Sequence, residues 1–393
     1  MIVTTDSSHP SPASERIDSL DVLRGIAVLM IFAVNVKMMA NGYNHYVTRS
    51  LWDGELARWI AFVHGEFVHG RFVTIFTALF GAGLALLLAR EKPVPIRIVL
   101  RRLFWLAVFG CLHLILLREG DILIWYALVG FIAIVFVRLT GPTLLLLALG
   151  LQVLAYVYYG AFPLSSEGVP VLWDAGPNAH HDVAEIMLGS VEEQVAARLD
   201  AAPYYVFDLF FVGGVWIDTL SVMLIGMALL KNGFLNGQRS VKCYGAWALA
   251  GLVVGTLDPA LSLIFKGDSN IGSHLLGFAA HVQYLGGALT WTACIVGAVS
   301  LGWRADYFAA AGRTAFTIYI LQSVIGLALF SSLGLGLFGQ LSLGALMLVT
   351  LAVWLFFLIA APAWLARFRY GPLEWVWRSL TYAKLQPMLR KDV

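Results

Sequence analysis

Residues 20–40 read LDVLRGIAVLMIFAVNVKMMA, a run broken by charge or amide only at Asp21, Arg24, Asn35 and Lys37. About 20 such residues in a helix cross roughly 30 Å of hydrocarbon, so this stretch predicts a membrane span. It follows a Ser/Pro-rich tail, residues 1–17, that lacks an A-x-A cleavage signal, and is expected to be retained as a first helix. Comparable runs recur at 72–89, 100–117, 122–138, 142–160, 207–230, 243–265, 274–302, 307–332 and 341–365. Ten transmembrane helices are expected. An eleventh follows if the short stretch Leu56–Val68, interrupted by His64 and Glu66, is a re-entrant or interfacial segment and not an extension of the second helix.

Composition points the same way. Of 393 residues, 60% are hydrophobic and 13% charged, against about 45–50% apolar and about 25% charged in soluble domains. The 26 Lys+Arg and 24 Asp+Glu cannot clothe a soluble fold of this length, so the apolar excess faces lipid. A net charge of +2 gives no footing for nucleic acid. Cys111, Cys243 and Cys294 show no CxxC spacing and indicate neither zinc nor a disulfide framework.

Basic residues supply the orientation. Arg90, Lys92, Arg97, Arg101 and Arg102 crowd one connection, Lys231, Arg239 and Lys242 a second, and Arg304 and Arg313 a third. Arg367, Arg369, Arg378, Lys384, Arg390 and Lys391 fill the C-terminal stretch. With ten crossings all four groups fall on one side, the cytoplasmic side by the positive-inside rule. The connection 161–206 carries seven acids and a single base, Arg198, and is expected outside. The chain then divides into a cytoplasmic tail (1–17), a five-helix half carrying the candidate site (18–160), an outer loop (161–206), a second five-helix half (207–365) and a cytoplasmic interfacial helix and tail (366–393). In that last segment Glu374 and Arg378 stand four apart, a spacing that supports an amphipathic helix through an ion pair.

Polar residues inside apolar runs cost about 2.5–3.5 kcal/mol at the bilayer centre and mark cavities or partners. Arg24 and Asn35 lie on one face of the first helix, about 16 Å apart at 1.5 Å per residue. The third helix repeats the layout, with Arg97, Arg101 and Arg102 at its start and His113 about 18 Å beyond Arg101. Neutral imidazole is the side chain best suited to exchange a proton near pH 7. Asp121, in the turn Glu119-Gly-Asp121, either caps the fourth helix or orients His113 through its second ring nitrogen. His45, Asp53, His64, Glu66 and His69 match no metal-ligand spacing, so no metal is expected. Asp208, Asp218, Asp258, His274, His281 and Gln283 sit in or beside later spans without diagnostic spacing.

Several stretches together resemble a known family: Ser19-Leu-Asp-Val-Leu-Arg-Gly-Ile-Ala27 with Asn35, Arg71-Phe-Val-Thr-Ile-Phe-Thr-Ala-Leu-Phe-Gly-Ala-Gly83, His113, Gly120-Asp-Ile-Leu123, Met223-Leu-Ile-Gly226, Gly312-Arg-Thr-Ala-Phe-Thr-Ile-Tyr-Ile-Leu-Gln322 and Gly371-Pro-Leu-Glu-Trp-Val-Trp-Arg378. The chain is identified as a member of the YeiB-like family, domain of unknown function 418. That family resembles the acyltransferase-3 and heparan-α-glucosaminide acetyltransferase-like proteins in helix count and in the start of the first helix. The wider resemblance implies transfer of an acyl group from cytoplasmic acyl-CoA, such as acetyl-CoA, to a hydroxyl or amine across a bacterial inner membrane. Acyltransferase-3 proteins carry Arg-x10-His in the first helix; here Arg24 matches the Arg and Asn35 takes the place of the His. They also carry Arg-x-x-Arg where this chain has Arg97-x-x-x-Arg101-Arg102.

His113 is therefore expected to act as general base on the acceptor, with Asn35 holding the acyl carbonyl and Asp121 fixing the ring. Arg24, Arg97, Arg101 and Arg102 are expected to meet the CoA phosphates. The acceptor would be a glycan, a lipid or a secreted metabolite, and a homodimer is left open. Two other functions fit the same composition: a transporter whose intramembrane polar residues line a path, and a lipid- or quinone-binding protein without chemistry.

Overall fold

The computed structural model describes residues 18–42, 54–89, 93–118, 120–161, 179–207, 215–264 and 270–390, and among them it holds helices and no strand. The helices are α1 (Asp18–Asn41), α2 (Glu55–Phe67), α3 (Arg71–Leu88), α4 (Ile96–Leu116), α5 (Leu123–Ala133) and α6 (Gly141–Ala161). Then come α7 (Ala179–Leu188), α8 (Val191–Phe207), α9 (Val215–Lys231), α10 (Val241–Gly255) and α11 (Leu257–Ile264). The last are α12 (Asn270–Ser300), α13 (Asp306–Arg313), α14 (Ala315–Phe330), α15 (Leu343–Arg367) and α16 (Pro372–Tyr382).

Five stretches are long and apolar enough to cross a membrane: α1, the α2–α3 pair over Glu55–Leu88, α4, Val282–Ser300 within α12, and α15. The pair α13 and α14, bent by 80° at its break, makes a sixth only if it is counted as one span. This is an all-helical membrane protein. The ten runs seen in the sequence do not all become unbroken long helices, and local chemistry explains where they break. The run 243–265 divides at Thr256, because Pro259 is tolerated in the first turn of a new helix and not inside a continuing one. The run 122–138 tightens after Ala133 into a 3-10 turn over Ile134–Phe136. The segment expected as an outer loop contains α7 and α8 among its described residues.

At the centre α1 packs against α3, α12, α13, α14 and α15, while α9 lies between α3 and α6. Phe32, Phe72, Leu103, Met223, Leu224, Met227 and Phe330 are fully buried in this core. Lipid-facing positions are apolar as well: Leu348, Ile359, Leu146 and Val153 are all exposed on α15 and α6. That pattern, apolar inside and outside, is what a bilayer solvent requires.

Candidate functional site

The site forms where α4 ends and α5 begins. Helix α4 places His113 one turn beyond Gly110, and the chain reverses through Gly120, whose φ of 82° is a backbone region open to glycine at little cost. The reversal brings Asp121 back against α4. Gly110 makes the approach feasible: a Cβ built there would stand 2.6 Å from the Ile124 nitrogen and 2.7 Å from Asp121 Oδ2.

Asp121 then does both of the jobs the sequence left open. Its Oδ2 accepts a hydrogen bond from the Ile124 backbone N–H at 2.7 Å, capping α5, and its Oδ1 lies 2.8 Å from His113 Nδ1. The latter is a close charge–dipole contact, out of line with the ring N–H. On the other side of the ring, His113 Nε2 is 2.8 Å from the hydroxyl of Ser323 on α14. With the carboxylate facing Nδ1, the ring proton belongs on that nitrogen, and Nε2 is left to accept from the Ser323 hydroxyl. Ser323 and His113 are each 2% exposed and Asp121 is 0% exposed. The result is a buried carboxylate, imidazole and hydroxyl in series.

Neighbouring groups fix this arrangement. The Tyr319 ring lies 5.0 Å from that of His113, and its hydroxyl accepts from the Ile122 N–H at 3.4 Å. From α8, the Tyr205 hydroxyl donates to the Asp121 carbonyl. Arg198 reaches the last turn of α4, its Nε donating to the Ile115 carbonyl at 2.9 Å, a cation on a helix C-terminus. The lone base of the acidic connection is thus a buried cap beside the site. Ser323 also borders a crevice of about 20 Å³, lined among others by Met38, Met187, Arg118, Leu327 and Phe338. Its volume is about that of a single water site.

Asn35 is half-buried on α1 and does not line that crevice.

The cationic residues lie at the other end of α4, and helix α16 organises them. Arg102 stacks its guanidinium 3.6 Å from the Trp377 ring centroid, while Trp377 Nε1 donates to the Arg102 carbonyl at 2.9 Å. Arg101 donates to the Thr381 carbonyl at 3.4 Å. Arg24 pairs with Asp21 at 3.0 Å, and Arg97 is exposed. The four therefore share one end of the bundle but are not all equally open to a ligand.

The expected Glu374–Arg378 pair is not formed. Glu374 turns inward to the start of α14, accepting from the Phe316 N–H at 2.7 Å, the Thr317 N–H at 3.0 Å and the Thr317 hydroxyl at 2.5 Å. Arg378 lies over Tyr370 and Tyr382 instead. Orphan N–H groups at a helix start attract a carboxylate more strongly than an exposed ion pair does. Burial raises the Glu374 carboxyl above the ordinary carboxylate range, against the pull of the Thr317 and Phe316 donors. Glu374→Ala orphans three donors and is expected to destabilise the protein by about 1–3 kcal/mol. A thermal unfolding series in detergent checks it, and an unchanged midpoint would show that the cap contributes nothing.

Of the remaining polar residues, Asp218 accepts from Gln152 at 2.7 Å and Gln283 from Arg71 at 3.3 Å. His64 is occupied by Lys37 at 2.9 Å and the Ala33 carbonyl at 3.0 Å. No group of three metal-ligating side chains occurs among the described residues. His45, Asp53, Glu119 and Asp208 lie outside the described residues, as do the side chains of His274 and His281.

A model of the family described as "Protein of unknown function (DUF418)" matches residues 229–384. The chain is 30% identical to uncharacterized protein YxaH of Bacillus subtilis, with 98% of this chain and 99% of that protein covered. It is 30% identical to uncharacterized protein YeiB of Escherichia coli, over 96% and 99%. An uncharacterized 39.9 kDa protein from the amylase 3′ region of Bacillus acidopullulyticus is 27% identical, over 97% and 98%.

Proposed function

Because the chain belongs to the YeiB-like family, domain of unknown function 418, we propose that it is a membrane-embedded acyltransferase, moving an acyl group from cytoplasmic acyl-CoA to an acceptor on the outer side of a bacterial inner membrane. One observation carries the proposal: His113 is buried with a carboxylate on one ring nitrogen and a hydroxyl on the other. That is the arrangement of a general base whose tautomer is held for it.

In the reaction, the acceptor hydroxyl or amine gives its proton to His113 Nε2 as it attacks the thioester carbon. The carbon–sulfur bond breaks, and the departing thiolate takes the proton from the imidazolium. Asp121 stabilises the transient positive charge without itself gaining a proton. Arg118, which borders the same crevice, offers positive charge to the oxyanion.

Sidedness follows from the ten-crossing reading, in which α1, α3, α4, α5, α6, α9, α10, α12, α14 and α15 cross. Helices α2, α7 and α8 then lie outside, and α13 and α16 at the cytoplasmic face. Arg101 and Arg102 face the cytoplasm, and twelve residues of α4, about 18 Å, separate Arg101 from His113. A phosphate group held at the arginines and a thioester at the imidazole define the two ends of an extended pantetheine arm.

Calorimetric titration of the purified protein with acetyl-CoA tests the donor. Saturable binding is expected, weakened at least about tenfold in the Arg101→Ala/Arg102→Ala protein, which would lose the positive charge proposed to meet the phosphates. Absence of binding to any acyl-CoA overturns the donor assignment. Transport is supported by one feature, the 80° break between α13 and α14. Broken helices in transporters come in related pairs at the midplane, and substrate-driven uptake into proteoliposomes would favour that function.

A further inference from the structure

Resting on the acyl-transfer reading, we propose that Ser323 is the nucleophile, and that the acyl group passes through a covalent ester on its side chain. The usual fate of a serine in an apolar helix is to bond the carbonyl one turn back. Ser323 instead faces across to another helix, 210 residues away in sequence, with its oxygen 2.8 Å from an imidazole nitrogen. That nitrogen belongs to a ring whose opposite nitrogen is 2.8 Å from a fully buried carboxylate. A nucleophile within hydrogen-bond reach of its base, and the base oriented by a third group, is the signature of an activated serine.

The serine also borders a crevice, about one water in volume as it stands, whose wall includes Arg118. Met38, Met39 and Met187 form part of the same wall. Their unbranched side chains are adaptable, so in this proposal an acyl group would enter by their rearrangement.

A covalent intermediate also suits the two sides of the site. In this proposal the donor thioester approaches His113 from the arginine end of α4, whereas the crevice opens between the far ends of α1, α7 and α14. In the first half-reaction, Ser323 Oγ attacks the thioester carbonyl and its proton moves to His113 Nε2. The carbon–sulfur bond breaks, and CoA leaves as the thiol with that proton. In the second, an acceptor hydroxyl or amine attacks the seryl ester, passes its proton to His113, and the Ser323 alkoxide recovers it. Neither half-reaction needs an oxidant or a metal, and the two substrates need never occupy the site together.

The test uses the full-length protein in lipid nanodiscs and two reagents. An alkyl fluorophosphonate reports serine nucleophilicity independently of CoA, and labelled acetyl-CoA reports transfer. Peptide mass spectrometry is expected to find the phosphonyl adduct, and after acid quench an acetyl group, on the peptide holding Ser323. Both should vanish in Ser323→Ala and fall at least about 100-fold in His113→Gln. The thermal midpoint of Ser323→Ala, measured alongside, is expected within a few degrees of the wild type.

Transfer at the wild-type rate in Ser323→Ala would overturn the covalent route while leaving acyl transfer by His113 standing. Phosphonylation of Ser323 without any turnover of acetyl-CoA would uphold the nucleophile and remove CoA as donor. No adduct and no turnover in a folded protein would overturn both.

Discussion

Asp121→Asn is expected to leave the protein folded and to slow acyl transfer by about 10²–10⁴-fold. The side chain is nearly isosteric and keeps an oxygen for the Ile124 N–H, now 2.7 Å from Asp121 Oδ2. With its oxygen committed there, the amide turns its NH₂ toward His113 Nδ1. That nitrogen must then accept, so the ring proton moves to Nε2, the atom that faces Ser323 at 2.8 Å. A protonated Nε2 donates to the hydroxyl and cannot take its proton. The imidazolium formed during reaction also loses its counter-charge. The loss should appear in kcat with little change in KM for acetyl-CoA, because the cations offered to the donor lie about 18 Å away along α4. His113→Gln combined with Asp121→Asn should cost no more than His113→Gln alone, since the two act as one unit. A rate for Asp121→Asn within about tenfold of the wild type would remove Asp121 from the mechanism.

Half of this unit is legible in the sequence alone. His113 stood out as an imidazole in an apolar run, and Asp121 as an acid in a tight turn a few residues on, so local spacing was enough to propose their meeting. Ser323 offered no such signal. A lone serine in an apolar helix is common, and its partner lies 210 positions away. Only the packing of α14 on the end of α4 joins them, and no periodicity encodes that. The same holds for Arg198 and Tyr205, which read as loop residues yet secure the site from α8. Membrane character and all-helical class were legible because they depend on composition, which is additive along the chain. Breaks such as the one before Pro259 needed local chemistry to be weighed against hydropathy. The i,i+4 spacing of Glu374 misleads for a related reason. An i,i+4 partner in sequence competes with whatever tertiary contacts supply, and the orphan N–H groups of α14 win.

Gly226→Val is expected to abolish recovery of folded protein, whereas Gly83→Ala, on the helix that Gly226 faces, is expected to be tolerated. The difference lies in what a Cβ would meet. At Gly226 it would stand 1.8 Å from the Ala78 carbonyl oxygen, and the reciprocal position, Gly81, would place one 2.1 Å from the Met223 oxygen. At Gly83 nothing lies within 4 Å. Helices α3 and α9 therefore touch backbone to backbone, the mode of association that small residues permit in lipid, where no hydrophobic force draws helices together. The clashing atoms are main-chain oxygens inside helices, which cannot swing aside as a long side chain would. Relief requires the helices to part, and that strips contacts from Met223, Leu224 and Met227, all 0% exposed. Overpacking of this kind costs on the order of 3 kcal/mol or more, a large share of a marginal stability. The consequence reaches the site as well. Helix α3 carries Thr77, bonded at 2.7 Å to Tyr126 of α5, and Asp121 caps the start of α5. The smaller Gly226→Ala change, wherever it still yields folded protein, should therefore lower transfer more than it lowers folded yield. Size-exclusion profiles and specific activity measured on the same preparations separate the two effects, and equal losses in both would confine the role of this contact to folding.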